Sequence, residues 1–408
     1  MPLRYGFLST YPPTQCGLAT FTAALHDHLT GGAPERTTGV VRLLDQPSPP
    51  GPTWAASGEA GNTMPGTRAA GIEVVGSLVA GTRTGPRAAA RLLNGYDVAI
   101  VQHEYGVYGG PDGDEVIEVI DNLHVPVIVV LHTVLTHPTS HQRYVLEAVV
   151  AAADAVVVMT TTARTRLLAG YRVDERRVTV IPHGAAAGRG APPAIGHRPT
   201  VLTWGLIGPG KGIEWGIAAM AELTDLDPAP RYIVAGQTHP KVLARSGEAY
   251  RDGLVAQTRG LGLADSVVFD DRYLDTESLA ELVRRADVVL LPYDSREQVT
   301  SGVLIEAVAA LRPIVATRFP HALELLGAGA GLLVEHRDAT AIAAAVRSII
   351  TDRTVTSGMV RAAANRAPEL LWPAVADRYR QLAGGLLGGL LGGSTDTRPG
   401  QAAAGAAR

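Results

Sequence analysis

Twelve short runs rich in Val, Ile and Leu recur along this chain, and segments of helical periodicity separate them. The runs lie at 5–9, 38–43, 98–102, 125–131, 155–159 and 178–181, then at 200–204, 231–235, 267–270, 288–291, 313–316 and 331–334. Between them 20–29, 142–152, 161–169, 213–223, 277–285 and 339–351 carry apolar residues at helical spacing. A run that is apolar throughout, without alternation, is covered on both faces, which predicts parallel strands layered by helices. Twelve strands are too many for one doubly wound sheet, and the stretch 185–199, rich in Ala, Gly and Pro, is the natural break. The expectation is an α/β chain of two such domains, 1–190 and 195–370, and 408 residues suffice for two full cores.

In open α/β sheets ligands bind beyond the carboxyl ends of the strands. Two such ends carry chemistry. After the run 288–291 comes EQVTSGVLIE, Glu297 to Glu306, a Ser-Gly loop leading into a helix. The start of that helix, with Ser301, Gly302 and Val303, offers backbone N–H groups and a positive dipole end to a diphosphate. Glu306 lies one to two turns further in, where a carboxylate accepts paired hydrogen bonds from a vicinal diol such as a ribose. By itself the segment is also consistent with a capped surface helix.

After the run 200–204 comes a second loop, Gly205 to Gly212, with Gly205, Gly208, Gly210 and Lys211, followed by a helix. This is a phosphate cradle with a lysine placed to reach the anion. It nearly matches the G-x-x-x-x-G-K-[S/T] loop, but Gly212 stands where that motif needs its magnesium-binding hydroxyl, which argues against an ATPase. A dinucleotide oxidoreductase would need G-x-G-x-x-G after the first strand, and residues 9–17 supply only Gly17.

Together these segments resemble the donor-binding half of the retaining, nucleotide-sugar-dependent glycosyltransferases of family 4. The resemblance runs from about Leu8 to about Leu387. It includes PTQCGLATF around Gly17, similar to the family's N-terminal glycine loop, and VQHEYG and VLHT, similar to its two histidine-bearing strand ends. VIPHG at 180–184 is similar to the segment that closes the first domain. The resemblance implies the GT-B architecture, two Rossmann-like domains facing across a cleft. The first would be the acceptor side and the second the donor side, with a helix at 371–387 crossing back to the first. It also implies transfer of a hexose with retention, from a donor of GDP-mannose or UDP-hexose type to a hydroxyl acceptor. Lys211 and helix-end amides would stabilise the leaving diphosphate, Glu306 would hold the ribose, and His132 with Glu297 or Gln298 would orient the sugar. No separate cofactor and no metal are implied, because protein groups neutralise the diphosphate.

The chain departs from the family pattern at two places. The family's glutamate eight residues before Glu306 is here Gln298, with Glu297 beside it, and the arginine that often follows the first loop glycine is here Leu206. Further candidates are His103 and Glu104 at a strand end, and His239 near a base pocket. His137 and His141 have metal-pair spacing, but the intervening Pro138-Thr139-Ser140 reads as a turn and helix cap.

Composition is compatible with this reading. Hydrophobic content of 46% with 18% charge is globular, and a net charge of −3 offers nucleic acid no bulk attraction. The single Cys16 excludes an internal disulfide, and no apolar run is long enough for a signal peptide or membrane span, which predicts a cytoplasmic protein. The resemblance allows peripheral membrane contact, though the chain shows no convincing basic amphipathic helix for it. Residues 46–71, rich in Pro and Gly, read as a long surface loop, and the Gly-Leu and Ala-Gly stretch at 388–408 as a disordered tail. Epimerase or phosphorylase chemistry on the same architecture, or a catalytically weak nucleotide-sugar-binding protein, are the alternatives.

Overall fold

The computed structural model describes residues 2–31, 38–45, 73–187 and 198–391. The loop at 46–71, the core of the linker at 188–197 and the tail from 392 onward lie outside the described residues. The chain forms two compact units. The first holds the residues up to Val158, Arg164–Ile181 and the chain from Ala376 on; the second holds Met159–Ala163 and Pro182–Val375.

The first unit is built on seven strands: β1 (Tyr5–Ser9), β2 (Thr38–Leu44), β3 (Glu73–Val79), β4 (Val98–His103), β5 (Val127–Leu131), β6 (Ala155–Val158) and β7 (Val178–Val180). Their order is β3-β2-β1-β4-β5-β6-β7, and every pairing is parallel. The second unit carries β8 (Thr200–Trp204), β9 (Arg231–Ala235), β10 (Val267–Asp270), β11 (Val288–Leu291), β12 (Ile314–Thr317) and β13 (Leu332–Val334). Its order is β10-β9-β8-β11-β12-β13, again all parallel. The central strands β1, β4, β5 and β11 are buried at every position, as continuous apolar runs require. In both sheets the strand order reverses beside a central strand, so each has a switch point, the place where open α/β sheets bind ligands at their carboxyl ends.

Among the described residues thirteen strands stand where twelve were expected. The additional one is β3, an edge strand whose Gly76 and Ser77 interrupt the apolar run. Gly76 is there for packing, because a Cβ would sit 2.4 Å from the Leu92 side chain that lies over the strand. At the C-terminal end the helix Trp372–Leu391 passes the expected stop at 387, carrying residues 388–391 with it. Within the first unit Tyr379 of this helix is fully buried and the Arg380 guanidinium donates to the His28 carbonyl. Among the described residues no helix is long and apolar enough to cross a membrane.

One device sets strand register three times. Asp97, Asp154 and Asp287 each immediately precede a strand. Each donates its backbone N–H to the carbonyl of a residue leading a neighbouring strand and accepts that same residue's N–H on its carboxylate. The partners are Arg4, Val127 and Thr200, with N–H to carboxylate distances of 2.9, 2.7 and 2.7 Å. The reciprocal pair fixes where two parallel strands begin relative to one another, where a slip would misplace every side chain beyond it. Asp154→Ala or Asp287→Ala leaves a strand-leading amide without its acceptor. Each should cost about 1–3 kcal/mol in urea unfolding, whereas a loss within error would remove the carboxylates from this role.

Candidate functional site

In the second unit the strand ends β8 and β11 flank the switch point. β8 finishes at Trp204, and the loop with Gly205, Gly208, Gly210 and Lys211 leads to the helix Ile213–Ala221. β11 finishes at Leu291, and residues 292–301 lead to the helix Gly302–Ala309. The two loops are tied together. Asp294 N–H donates to Gly210 O at 3.0 Å, and Gly205 lies against Val303, whose side chain is 3.7 Å from where a Gly205 Cβ would stand. Gly212 makes the closest approach: its φ is +64°, and a Cβ there would meet the Pro292 carbonyl oxygen at 1.8 Å. Only glycine fits, so the hydroxyl residue of a magnesium-binding P-loop is excluded by space as well as by sequence. Gly236, at the end of β9, is similarly constrained, with φ +127° and a would-be Cβ 2.1 Å from Gly205 O.

Lys211 extends its ammonium over the ring of Tyr293, 4.6 Å from the centroid. Tyr293 is itself buried and stacked on Phe319 at 5.1 Å between centroids. The cation–π contact, worth about 0.5–2 kcal/mol, holds the ammonium at the mouth of the loop and leaves its N–H donors usable. Asp294, the next residue, is paired through Oδ2 with Arg337 at 3.2 Å.

The start of the helix Gly302–Ala309 is partly occupied. Ser301 Oγ accepts the Leu304 N–H at 3.2 Å as an N-cap, and the Ser301 N–H donates to Nδ1 of the buried His321 at 2.8 Å. Because Nδ1 accepts, the His321 proton resides on Nε2, and burial pushes this histidine down to about 4, so it is neutral near pH 7. The donors offered to an anion are therefore the amides of Gly302 and Val303, since that of Ser301 is already taken by His321. His183 lies on Gly302, its Nε2 2.9 Å from a would-be Cβ, and its Nδ1–H donates to Gly184 O at 2.7 Å.

Glu306, half-buried, faces β8. Its Oε2 accepts the Trp204 indole N–H at 3.1 Å. Burial raises the carboxyl to about 7, and the indole N–H opposes that rise. Of the two candidates for the preceding donor residue, Glu297 is exposed. Gln298 is half-buried, its side-chain amide donates to Thr300 O at 3.0 Å, and its backbone carbonyl accepts from His321 N–H. His239 stands beside the loop: its N–H donates to Ile207 O at 2.8 Å, and its Nδ1 caps the helix Pro240–Ser246 by accepting from Lys241 N–H. Burial, then the Lys241 and Lys211 charges, lower its basicity.

The remaining candidates sit in the first unit at strand ends. His132, just after β5, donates Nε2–H to Gln102 Oε1 at 2.7 Å and meets the edge of Phe21. His103, ending β4, is fully buried without a hydrogen-bond partner on either ring nitrogen among the described residues, and burial lowers it to about 4. Glu104 ties β4 to β5, accepting from Thr133 Oγ1 at 2.6 Å and from Tyr105 N–H. Gly17 opens the helix Gly17–Thr30, and no atom of the described residues lies within 4 Å of where its Cβ would be. His141 is in the first turn of the helix Ser140–Ala152, between Asp112 and Asp114 at 3.0 and 3.5 Å. Among the described residues no group of three or more His, Cys, Asp or Glu is set to hold a metal ion.

Three functional neighbours were not legible beforehand: Tyr293 under Lys211, His321 on the Ser301 amide, and Trp204 as the partner of Glu306. Only Trp204 carried a usable signal, since a buried indole N–H needs an acceptor.

The arrangement has relatives. Residues 198–352 match the family model described as Glycosyl transferases group 1, and residues 70–189 match that described as Glycosyltransferase Family 4. A D-inositol 3-phosphate glycosyltransferase of Kineococcus radiotolerans is 31% identical over 255 residues, 57% of this chain and 57% of that protein. Another, of Geodermatophilus obscurus, is 34% identical over 229 residues, 53% and 49% of the two chains. The match thus spans about half the length of these curated relatives. Among solved structures, HepE of Anabaena in complex with UDP and glucose superposes with a TM-score of 0.69 at 16% identity, covering 94% of this chain and 100% of that one. This likeness shows the fold, that of the GT-B enzymes.

Two outcomes follow from the geometry. Gly212→Ser should lower stability by about 3 kcal/mol or more, from left-handed strain plus collision with the Pro292 carbonyl, and should confer no magnesium-dependent binding. A stable, magnesium-responsive variant would contradict the packing described. For Glu306, the native carboxyl titrates near 7, above its ordinary 4.5. Its ionisation penalty is therefore absent below about pH 4.5, grows as pH rises, and is complete above about 7. Glu306→Gln should melt at a higher temperature than the wild type at pH 8, by up to about 3 kcal/mol of stability, with the difference vanishing near pH 4.5. Equal melting at both pH values would show a carboxyl that is not desolvated.

Proposed function

The chain belongs to the glycosyltransferases of family 4, and from that premise we propose that it transfers a hexose from a nucleotide-diphosphate sugar to a hydroxyl acceptor with retention at the anomeric carbon. One observation carries the reading: the Lys211 loop and the Glu306 helix meet at the switch point through Gly205 and Val303. An anion-binding group and a diol-binding group thereby sit on adjacent strand ends, as a ribonucleoside diphosphate requires.

In this mechanism the Lys211 ammonium and the Gly302 and Val303 amides take up the charge that develops on the leaving diphosphate. Glu306 accepts from the ribose hydroxyls. The acceptor hydroxyl attacks on the face the diphosphate leaves, and the leaving phosphate receives its proton, so no separate base and no metal are needed. The donor is of GDP-mannose or UDP-hexose type. The relatives named as acting on an inositol phosphate, and the structure holding UDP and glucose, support that class of chemistry. We assign the acceptor to the first unit, where His132 and the His103-Glu104 pair mark strand ends. A nucleotide-sugar-binding protein with weak catalysis is the second reading, favoured by Gln298, whose amide is turned onto Thr300 O where the family carries a glutamate.

The test is a panel of UDP- and GDP-hexoses, scored for binding and for slow donor hydrolysis, with Lys211→Ala alongside. One donor should bind and be cleaved with its α-configuration kept by NMR, insensitive to EDTA, and Lys211→Ala should lose about 100-fold or more. Undiminished turnover in Lys211→Ala, or inversion at the anomeric carbon, would overturn the mechanism. Binding with no turnover on any acceptor would select the second reading.

A further inference from the structure

Glu306 has a single hydrogen-bonding partner among the described residues, and that partner is an indole. Trp204 is 3% exposed and packed in the core cluster with Leu202, Ala235, Leu291 and Leu304, so its ring has no freedom to follow a moving carboxylate. It is the last residue of β8, and the turn at Gly205, with φ +118°, leaves the ring beside the helix that carries Glu306. An indole N–H donates and never accepts, so it meets a carboxylate in one sense only. Glu306 Oε2 is held, while Oε1 makes no hydrogen bond among the described residues.

We propose that Trp204 is a positioning residue for donor recognition, clamping one oxygen of Glu306 so that the carboxylate is already oriented to receive the ribose diol. The inference rests on the reading of Glu306 as the ribose ligand. A long acidic side chain loses rotamer freedom when it is fixed on a ligand, and a rigid donor beneath it means that part of this loss is incurred on folding. A hydrogen bond to an ionised acceptor is also among the stronger ones; Trp204→Phe removes it together with part of the ring, and 3-benzothienylalanine at the same position removes it with the bicyclic ring kept. No charged side chain sets the ionisation of Glu306: burial raises it and the Trp204 N–H lowers it. Loss of the indole N–H therefore moves the carboxyl upward, a signature that ring packing alone does not produce.

The experiment measures binding of UDP and GDP, and of their 3′-deoxy forms, to wild type and Trp204→Phe from pH 5.5 to 9. Wild type should prefer the ribonucleotide. In Trp204→Phe that preference should fall about tenfold, the acid limb of ribonucleotide binding should move to higher pH, and affinity for the 3′-deoxy form should hold. If Trp204→Phe fails to fold, 3-benzothienylalanine at the same position keeps the ring and lacks the N–H, and serves the same comparison. Equal weakening of both nucleotide forms, or no change in either, overturns the positioning role while leaving the ribose reading intact. A wild type that binds both forms equally overturns the ribose reading itself, and with it this inference.

Discussion

The close approach of Gly212 to the Pro292 carbonyl is the contact on which the candidate site depends. It brings the loop after β8 against the loop after β11, and the Asp294 to Gly210 hydrogen bond then follows from proximity. With those loops together, Lys211 reaches the Tyr293 ring and the first turn of the helix Gly302–Ala309 lies beside Gly205. A side chain at 212 would part the loops and separate the ammonium from the helix amides. The near-match to a magnesium-binding phosphate loop thus has a steric explanation. The position where that motif keeps a hydroxyl is here filled by a neighbouring backbone.

The site is assembled from groups that are costly for the fold. Glu306 is a carboxyl in surroundings that oppose its charge, offset in part by one indole N–H. His321 is buried and neutral so that its Nδ1 accepts an amide that the helix would otherwise present outward. The register-setting aspartates point the other way, since each carboxylate satisfies a strand-leading amide and gains stability from it. The contrast is between charged groups that stabilise the fold and buried groups that burden it, the second kind being the one that gathers at functional sites.

Most of the fold was legible because both sheets are parallel and covered, so their strands are written as continuous apolar runs. Each of the twelve expected runs is a strand, with ends shifted by a residue or two. β3 escaped because it lies at an edge, where Gly76 makes room for Leu92 and, with Ser77, interrupts the apolar run. In the site, the loop glycines, Lys211, Gly302 and Glu306 were visible as residue types at strand ends, and they do stand together in the second unit. What could not be read is contact between distant positions. Nothing in the spacing ties His321 to Ser301, or Tyr293 to Lys211, because the first pair forms only when β12 lies beside β11 and the second only when β8 does. For the same reason the choice between Glu297 and Gln298 had no solution in the sequence, and the exposure of one and the hydrogen bonds of the other came only from the fold.

The central claim is that a nucleoside diphosphate is held by the Lys211 loop and the start of the helix Gly302–Ala309. Residue-resolved amide hydrogen exchange with and without saturating UDP or GDP tests it most directly. The account predicts slowed exchange at Gly302, Val303 and the 205–212 loop, with Ser301, already bonded to His321, little changed. Protection elsewhere in the chain, with those two amides exchanging as before, would contradict it.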